Sequence, residues 1–457
     1  MSSIAIPAPT TSRWAALPVV LAGTFMVVLD FFIVNVAMPA MQTELHASTG
    51  AIEWVVAGYG LTFATLLITA GRLGDQLGRR RMFSAGLLLF TVASLACGLS
   101  TSPEMLIAAR AFQGAAAALL STNVLSIIGV TYTGPDRLKA LSIYGTVLGL
   151  AAVGGQLIGG ALVEAAGWRS IFLINVPIGI VALLVTPQLV PESRGDRRAR
   201  IDLAGTALVT VALVDIVLPL VEGRQHGWPL WTWLCLGAAP IALAAFALHQ
   251  KRLHARGGAP LLDPALFRDR GFSAGLLTQL AFWSGQASFF LVFALYLQQG
   301  RGLGALQAGL VFTILAVSYM AASMKATART TTLGVLTLGA GHLTLAATVA
   351  AGGSIAALVP ALLLIGAGMG MVITPLTTTV LASVPPQHAG AASGALSTMQ
   401  QVGNAVGVAI TGIIFFGAAK HGVPHAFELS LVQLAAVCVV AAGLTRLLPR
   451  RETATAQ

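Results

Sequence analysis

The sequence predicts an all-α integral membrane protein, and its composition is the first reason. Of the 457 residues, 56% are hydrophobic and only 9% are charged, and the mean hydropathy is +0.84. Soluble domains carry about 25% charged residues. Apolar runs of around 20 residues recur along the chain, and a helix of that length crosses the roughly 30 Å hydrocarbon core of a bilayer. The runs are continuous, whereas the strands of a membrane β-barrel would appear as segments of about 10 alternating residues.

The apolar runs divide the chain into three parts. Fourteen spans are predicted, at residues 15–39, 52–71, 82–100, 104–130, 139–163, 169–189, 202–221, 230–249, 272–298, 305–325, 332–351, 355–380, 392–418 and 427–448. Polar segments at 190–201 and 250–271 bracket the seventh and eighth spans, so six spans precede this inserted pair and six follow it. We therefore predict an amino-terminal six-helix bundle over 1–189, a linker with two extra helices over 190–271, and a carboxyl-terminal six-helix bundle over 272–457. Transporters built from two repeated six-helix halves bind substrate between the halves, near the middle of the membrane.

The Lys and Arg residues indicate the orientation of the spans. Most of the 26 basic residues lie in the even-numbered turns and near the two ends of the chain, on one side of the predicted membrane. Basic loops stay in the cytoplasm, so we expect a multi-pass protein of the plasma membrane with both termini cytoplasmic. The first apolar run is too long for a cleavable signal peptide, so it should remain as a helix. The net charge of +10 therefore comes from the Lys and Arg residues of the loops, and no nucleic-acid partner is expected.

Asp30 is the most informative single residue, because it lies within the first apolar run. An ionisable side chain at membrane depth costs roughly 3 kcal/mol or more and is by default a functional-site hypothesis. We interpret Asp30 as a proton-coupling group; the alternative is a packing residue that faces a water-filled crevice. Arg110 is the only basic residue in the interior of a predicted span, away from its ends, and Gln113 follows on the same helix face. Arg110 either takes part in proton coupling or is a fixed strut between helices, and the sequence leaves its contact with Asp30 open.

The turn between the second and third spans carries a charged motif. It runs Gly71-Arg-Leu-Gly-Asp75-Gln-Leu-Gly78-Arg79-Arg80-Arg-Met-Phe and resembles the Gly-x-Leu-x-Asp-x-x-Gly-Arg-Arg loop of the major facilitator superfamily. The glycines permit a tight turn and close helix approach, and Asp75 can cap a helix or pair with arginines. We predict a conformational latch that joins two cytoplasmic helix ends in one transport state. The alternative is a charged turn that only anchors the topology.

Other segments resemble the fourteen-span drug:proton antiporters of the same superfamily. They are Leu29–Pro39 on the first span, Arg110–Gly114 on the fourth, Trp168–Gly179 entering the sixth and Gly390–Ala409 on the thirteenth. The matches follow the family order over nearly the whole chain. The resemblance implies the major facilitator fold, with two six-helix bundles plus two inserted helices, and proton-coupled efflux of drugs or antibiotics.

One segment departs from the family pattern. The fifth-helix signature of the antiporters runs Gly-Pro-x-x-Gly-Gly, and this chain has Gly155-Gln156-Leu-Ile-Gly159-Gly160. The glycines still allow close helix packing, but the kink that proline would impose is absent. Because that signature is the one associated with antiport, a proton symporter or facilitator that imports a small metabolite is the alternative function.

Polar side chains on apolar helices are candidates for a substrate cavity. The candidates are Asn35, Gln113, Gln156, Gln279, Trp283, Gln286, Gln400, Gln401 and Asn404. Positions three and four apart share one helix face. Amides and an indole among apolar walls suit an amphipathic organic molecule; the alternative is hydrogen bonding between helices. Asp215 on the seventh span is open between function and packing, whereas Glu53 and Glu164, near extracellular helix ends, should be solvated.

The sequence thus predicts an exporter that exchanges an amphipathic drug-like or antibiotic molecule for protons by alternating access. A receptor or scaffold would need a sizeable soluble domain, and a membrane enzyme would need a clustered metal site or an activated nucleophile; we see neither pattern. The three cysteines lie in apolar runs without metal-ligand spacing. We therefore expect no metal, no cofactor and no enzymatic activity. The expected partners are the organic substrate, protons and membrane lipids, with the protein acting as a monomer.

Overall fold

The computed structural model of the protein describes residues 10–194, 202–223, 226–258, 260–262, 264–382, 384 and 389–448. In this part of the chain, fourteen helices are long and apolar enough to cross a membrane. They are α1 Thr10–Glu44, α2 Thr49–Leu77, α3 Arg79–Gly98, α4 Pro103–Thr131, α5 Gly134–Ala166, α6 Ser170–Leu189, α7 Leu203–Glu222, α8 Leu230–Ala255, α9 Arg270–Leu295, α10 Ala305–Ser323, α11 Thr331–Ala350, α12 Val359–Ala382, α13 Ala389–Ala418 and α14 Val423–Thr445. The predicted all-α membrane fold is confirmed, and each predicted span overlaps one helix.

The helix ends follow local capping rules. The Ser48 hydroxyl accepts a hydrogen bond from the Ala51 N–H at 3.2 Å, and the Ser102 hydroxyl accepts one from the Met105 N–H at 3.2 Å. Such caps satisfy backbone donors that have no partner in the first turn of a helix. α2 therefore begins three residues before the predicted span, because its polar first turn belongs to the helix but not to the apolar run.

Close packing of α2 against α4 positions the interior of the amino-terminal helices. A Cβ atom placed on Gly114 of α4 would lie 2.2 Å from the Tyr59 carbonyl oxygen of α2, so only glycine fits at this crossing. Small residues at helix contacts let two backbones approach closely in membranes. One turn before Gly114, Arg110 consequently points against α2.

The helices before α7 meet those after α8 along two seams. We call the face of the molecule where α1 begins the amino face. α2 packs against α13 at the first seam, and α5 packs against α10 at the second. α7 lies over the first seam, in contact with both α2 and α13. The division at residues 189 and 271 stays a prediction, and the charged stretch at 195–201 lies outside the described residues.

Candidate functional site

A polar cluster occupies the interior of the amino-terminal helices. Asp30 on α1, Ser94 on α3, Arg110 and Gln113 on α4, and Asn175 on α6 are each no more than 1% exposed. Asn175 follows a turn residue that interrupts α6. Four helices thus direct polar side chains to one point inside an otherwise apolar bundle.

Asp30 is held by three donors. Arg110 Nη1 donates to Asp30 Oδ2 at 2.5 Å, while Gln113 Nε2 and Asn175 Nδ2 donate to Asp30 Oδ1 at 2.8 and 3.2 Å. The pairing of Asp30 with Arg110, which the sequence leaves open, is present. Gln113 Nε2 also donates to the Ser94 hydroxyl at 2.8 Å, and Arg110 Nη1 donates to Gln113 Oε1 at 2.7 Å. The ion pair is therefore part of a connected hydrogen-bond network.

The remainder of the Arg110 side chain is fixed by α2. Arg110 Nε donates to the Val55 carbonyl oxygen at 3.1 Å, and the guanidinium carbon lies 4.2 Å from the centre of the Tyr59 ring. A cation over an aromatic face is stabilised by the ring quadrupole. The Tyr59 hydroxyl has no hydrogen-bond partner among the described residues. Arg110 is thus oriented by α2 and neutralised by α1.

The two buried charges of this pair depend on each other. Two opposite charges buried together compensate each other, whereas removing one partner leaves an uncompensated charge at a cost of about 3–5 kcal/mol. A proton on Asp30 has the same effect, since it cancels the negative charge and leaves the Arg110 guanidinium without a counter-ion.

Some members of the cluster escape sequence reasoning. Asn175 lies within a segment that resembles the antiporters, and its position in an apolar run is a usable signal. Ser94 gives no such signal, because serine is common in membrane helices and satisfies itself on the preceding turn. The contribution of Tyr59 depends on the α2–α4 crossing, which only the structure shows.

The charged turn joins α2 and α3 to the end of α6. Asp75 accepts hydrogen bonds from Arg79 Nε and Nη2 at 3.1 and 2.8 Å, and the Arg80 backbone N–H donates to Glu192 Oε1 at 3.1 Å. Gly78 has a φ of +114°, which favours glycine, and a Cβ there would lie 2.7 Å from Glu192 Oε1. Asp75 lies inside α2 and pairs with arginine instead of capping a helix. Glu192 completes the arrangement and is absent from the sequence prediction.

Gly71, the first residue of the motif, lies where α2 passes α4. A Cβ on Gly71 would be 3.8 Å from Thr122 Cβ, an ordinary contact distance. The close approach required of a glycine occurs instead at Gly74, where a Cβ would lie 2.0 Å from Asn123 Oδ1. A larger residue at position 74 would therefore require the Asn123 side chain to move.

The cavity candidates are mostly buried between helices in this conformation. Asn35, Gln156, Gln279, Gln286, Gln401 and Asn404 are buried, whereas Trp283 and Gln400 are half-buried. These side chains do not form a single cluster. Some pairs of them lie close together, and the others lie at separate contacts between helices.

Three hydrogen bonds connect these candidate side chains to neighbouring groups. Gln156 Nε2 donates to the Phe32 carbonyl oxygen at 3.3 Å, joining α5 to α1. Asn35 Nδ2 donates to the same oxygen at 3.3 Å. Gln279 Nε2 donates to the Thr377 hydroxyl at 3.4 Å, joining α9 to α12 as the interhelical alternative expects.

Several polar atoms of the candidates retain unused hydrogen-bonding capacity. Asn404 Nδ2 donates to Gln401 Oε1 at 3.1 Å, but Asn404 Oδ1 has no partner among the described residues. The same holds for Gln156 Oε1 and Trp283 Nε1. An unsatisfied buried polar atom costs roughly 1–3 kcal/mol. A ligand or a water that forms a hydrogen bond with one of these atoms therefore gains free energy of binding.

Two carboxylates differ in environment. Glu164 is exposed, as expected. The expectation that Glu53 is solvated is wrong: it is 2% exposed, because α13 covers the first turn of α2, and a Cβ on Gly412 would lie 2.8 Å from Glu53 Oε1. Asp215 is half-buried on α7, away from the Asp30 cluster.

A cavity of about 940 Å³ opens between the two sets of helices at the face opposite the amino face. Glu44 and Glu164 line one side of it, and Gln298 and Gln307 line the other. Gln298 Nε2 donates to the Val36 carbonyl oxygen at 2.9 Å and so ties α1 to the chain that follows α9.

Comparison with known proteins gives a consistent result. The family model of the Major Facilitator Superfamily matches residues 20–408. The chain is 40% identical over 426 residues to the "Probable actinorhodin transporter" of Streptomyces coelicolor, covering 90% of this chain and 74% of that protein. It is 34% identical to the "Cephamycin export protein CmcT" of Amycolatopsis lactamdurans, covering 96% and 93%. A crystal structure of an auto-inhibited POT family peptide transporter matches with a TM-score of 0.68 at 14% identity, covering 97% and 98%, which concerns the fold alone.

Proposed function

The chain belongs to the Major Facilitator Superfamily, and on that premise we propose that it exports amphipathic drug-like or antibiotic molecules in exchange for protons. It lies in the plasma membrane with the amino face toward the cytoplasm, as the basic turns favour. The buried ion pair between Asp30 and Arg110 is the observation that carries the proposal. Burying an ionisable pair at membrane depth costs free energy, and proton coupling in a transporter is a function that explains why the pair is there.

The exchange follows from the chemistry of that pair. In the ionised state, Arg110 Nη1 donates to Asp30 Oδ2 at 2.5 Å and ties α4 to α1. A proton on Asp30 breaks this charge-assisted bond, so the helices adopt another arrangement in which the carboxyl group is neutral. Return to the first arrangement expels the proton. Substrate binding that favours the ionised arrangement is thereby coupled to proton release.

Aromatic and polar groups between the halves suit the proposed substrates. The Phe32 ring of α1 lies 5.1 Å from the Phe290 ring of α9, and Phe290 stacks on Phe312 of α10 at 5.6 Å. Polar atoms of Gln156 on α5, Trp283 on α9 and Asn404 on α13 have no hydrogen-bond partner among the described residues. Aromatic walls with few hydrogen-bonding groups recognise amphipathic organic molecules. Relatives named for the transport of actinorhodin and the export of cephamycin support this class.

Transport driven by an imposed pH gradient tests the proposal. In everted vesicles with an acidic lumen, the wild-type protein should accumulate rhodamine 6G, because protons leaving the lumen drive the dye inward. Asp30→Asn keeps the shape of the side chain but cannot release a proton, so accumulation should fall to the level of empty vesicles. Asp215→Asn, which also removes a carboxylate within a membrane helix, is the matched control and should retain accumulation.

Two outcomes would contradict the proposal. Full accumulation by a folded Asp30→Asn variant would remove Asp30 from proton coupling. Accumulation that requires an alkaline lumen, so that dye and protons enter together, would favour the symporter alternative that the missing proline of the fifth-helix signature leaves open.

A further inference from the structure

The helices that follow α8 contain a second buried polar site, separate from the Asp30 cluster. His342 on α11 and Cys438 on α14 are 1% and 7% exposed. Cys438 Sγ lies 3.9 Å from His342 Nδ1, across two helices that pack against each other. The proposed exchange of substrate and protons uses neither residue. The sequence leads us to expect no metal because the cysteines lack ligand spacing, but that criterion does not detect a pair of residues 96 positions apart.

Close helix packing brings these two side chains together. A Cβ atom on Gly339, three residues before His342 on α11, would lie 3.1 Å from Cys438 Cβ. Small residues let two helix backbones approach closely in a membrane, and residues three apart lie on the same face of a helix. The Phe289 ring of α9 lies 5.3 Å from the His342 imidazole ring. Three helices thus fix the position of the site.

The imidazole retains unused hydrogen-bonding capacity. His342 Nε2 is buried and has no hydrogen-bond partner among the described residues. His342, Cys438 and Gln286 line a common cavity of about 10 Å³, which holds about one water-sized sphere. None of the described residues that line this cavity is Asp, Glu, Lys or Arg. The cavity therefore offers a thiol, an imidazole and an amide in a space too small for a hydrated ion.

Charge balance restricts the ligand that such a site can take. Thiolate and imidazole are ligands of soft metal ions such as Cu⁺, and an uncompensated charge in an apolar interior is costly. A univalent ion on the Cys438 thiolate forms a neutral unit, so its burial needs no further counter-ion. Zn²⁺ would leave a net positive charge and prefers four ligands. The residues therefore favour a univalent soft ion over zinc.

The distance between the two ligand atoms fits a metal ion placed between them. Bonds of about 2.3 Å to sulfur and about 2.0 Å to imidazole nitrogen, the lengths known for zinc, span at most about 4.3 Å. The present separation of Cys438 Sγ and His342 Nδ1 is 3.9 Å. A small rotation of either side chain, or a bent arrangement, is sufficient for both bonds to form.

We propose that Cys438 and His342 form a binding site for one soft univalent metal ion, of the class of Cu⁺ and Ag⁺. The ion takes the place of the thiol hydrogen. The S–H bond breaks, bonds from the metal to Cys438 Sγ and His342 Nδ1 form, and one proton leaves to the solvent, with no change of oxidation state. The bound ion joins α11 to α14 beside Gln286. The inference is independent of the proposed export function, because binding is measured without transport.

Silver binding to the purified protein tests the site. The Cys235→Ser background removes the cysteine that is not buried. In this background, titration with AgNO₃ in chloride-free buffer should show one tightly bound Ag⁺ and one released proton, and both should be lost in Cys438→Ser. His342→Gln keeps the thiol but lacks the imidazole, so the affinity for Ag⁺ should fall by about tenfold or more, as it does when a group that orients a metal ligand is lost.

Cys97→Ser is the matched control. Cys97 is also a buried thiol, but its sulfur lies 3.7 Å from the Gln113 amide oxygen and not beside an imidazole. This variant should bind Ag⁺ as the background protein does. Undiminished affinity in His342→Gln, or an equal loss in Cys97→Ser, would overturn the proposal, because any buried thiol would then be sufficient. Undiminished binding in Cys438→Ser would place the ion elsewhere.

X-ray absorption of the silver complex gives a second test that needs no substitution at the site. The spectrum of the background protein with one Ag⁺ bound should show one sulfur and one nitrogen neighbour, as the pair of Cys438 and His342 requires. Two sulfur neighbours, or oxygen neighbours alone, would contradict the assignment.

Discussion

At the scale of single residues, the protein is organised around one buried carboxylate. The cost of burying charge predicts Asp30 from the sequence alone, because an acid within an apolar span is by default a functional-site hypothesis. The same reasoning singles out Arg110, the one cation in the interior of a predicted span. It cannot identify Ser94 or Tyr59, whose roles depend on which helix faces meet. The sequence thus predicts those members of the cluster that are charged residues within an apolar helix.

The guanidinium of Arg110 should not be replaceable by an ammonium. Arg110 uses Nε for the Val55 carbonyl oxygen and Nη1 for Asp30 and Gln113. Lysine offers a single nitrogen and cannot reach both helices at once. Arg110→Lys should reduce pH-driven dye accumulation by at least about tenfold while retaining expression and a monodisperse elution profile. Near-normal accumulation in Arg110→Lys would mean that a positive charge is sufficient at this position.

Asp202 is a structural carboxylate, and its effect should appear in stability. It caps α7 through the Gly205 N–H at 2.8 Å and accepts from His249 and Gln250 at 2.8 and 2.7 Å. Asp202→Ala should lower thermal stability in detergent, with the lost cap alone contributing about 1 kcal/mol. An unaltered melting temperature would contradict this assignment.

The pH dependence at Asp202 has a definite sign. Burial alone would raise the pKa of Asp202, but the hydrogen bonds from Gly205, His249 and Gln250 lower it below its ordinary value. A depressed folded-state pKa stabilises the protein above the unfolded pKa of about 3.9, and the stabilisation disappears as pH falls through the folded value. The gap in melting temperature between wild type and Asp202→Ala should therefore shrink as the pH falls below about pH 4.

At the scale of helices, glycine contacts determine which conformation is possible. Hydropathy predicts the ends of each span to within about six residues, and the glycines of the fifth span predict close packing. Gly155 and Gly159 pack on α1, whereas Gly160 packs on α10, which lies more than a hundred positions away and could not be identified. Glu192, which joins the charged turn to the end of α6, was missed for the same reason: a carboxylate just beyond a span carries no anomaly in the sequence.

Gly309 should control closure at the face opposite the amino face. A Cβ on Gly309 would lie 2.5 Å from the Gln156 carbonyl oxygen, so Gly309→Leu should force α5 and α10 apart. Spin labels at Glu164→Cys and Gln307→Cys, on the two sides of the 940 Å³ cavity, should then report a longer distance by pulsed electron resonance. Gly443→Leu on α14 is the control, since a Cβ there meets nothing within 4 Å. Identical distances in Gly309→Leu and wild type would show that this contact does not set the state.

At the scale of the whole molecule, two seams join the helices before α7 to those after α8. The second seam is tight at Gly160 and Gly309, close to the cavity of about 940 Å³ at the face opposite the amino face. Composition and span count predict the fold class because the bilayer restricts the choice of structure. They do not predict which seam the inserted pair covers, since lipid-facing and seam-facing apolar helices have the same composition.

Proton movement on addition of substrate tests the account most directly. Everted vesicles with pyranine in the lumen, and with no imposed pH gradient, should show alkalinisation of the lumen when an amphipathic substrate is added, because each exported molecule is exchanged for protons that leave. Asp30→Asn vesicles should show no pH change. A substrate flux in wild-type vesicles with a constant or acidifying lumen would contradict exchange through the Asp30 and Arg110 pair.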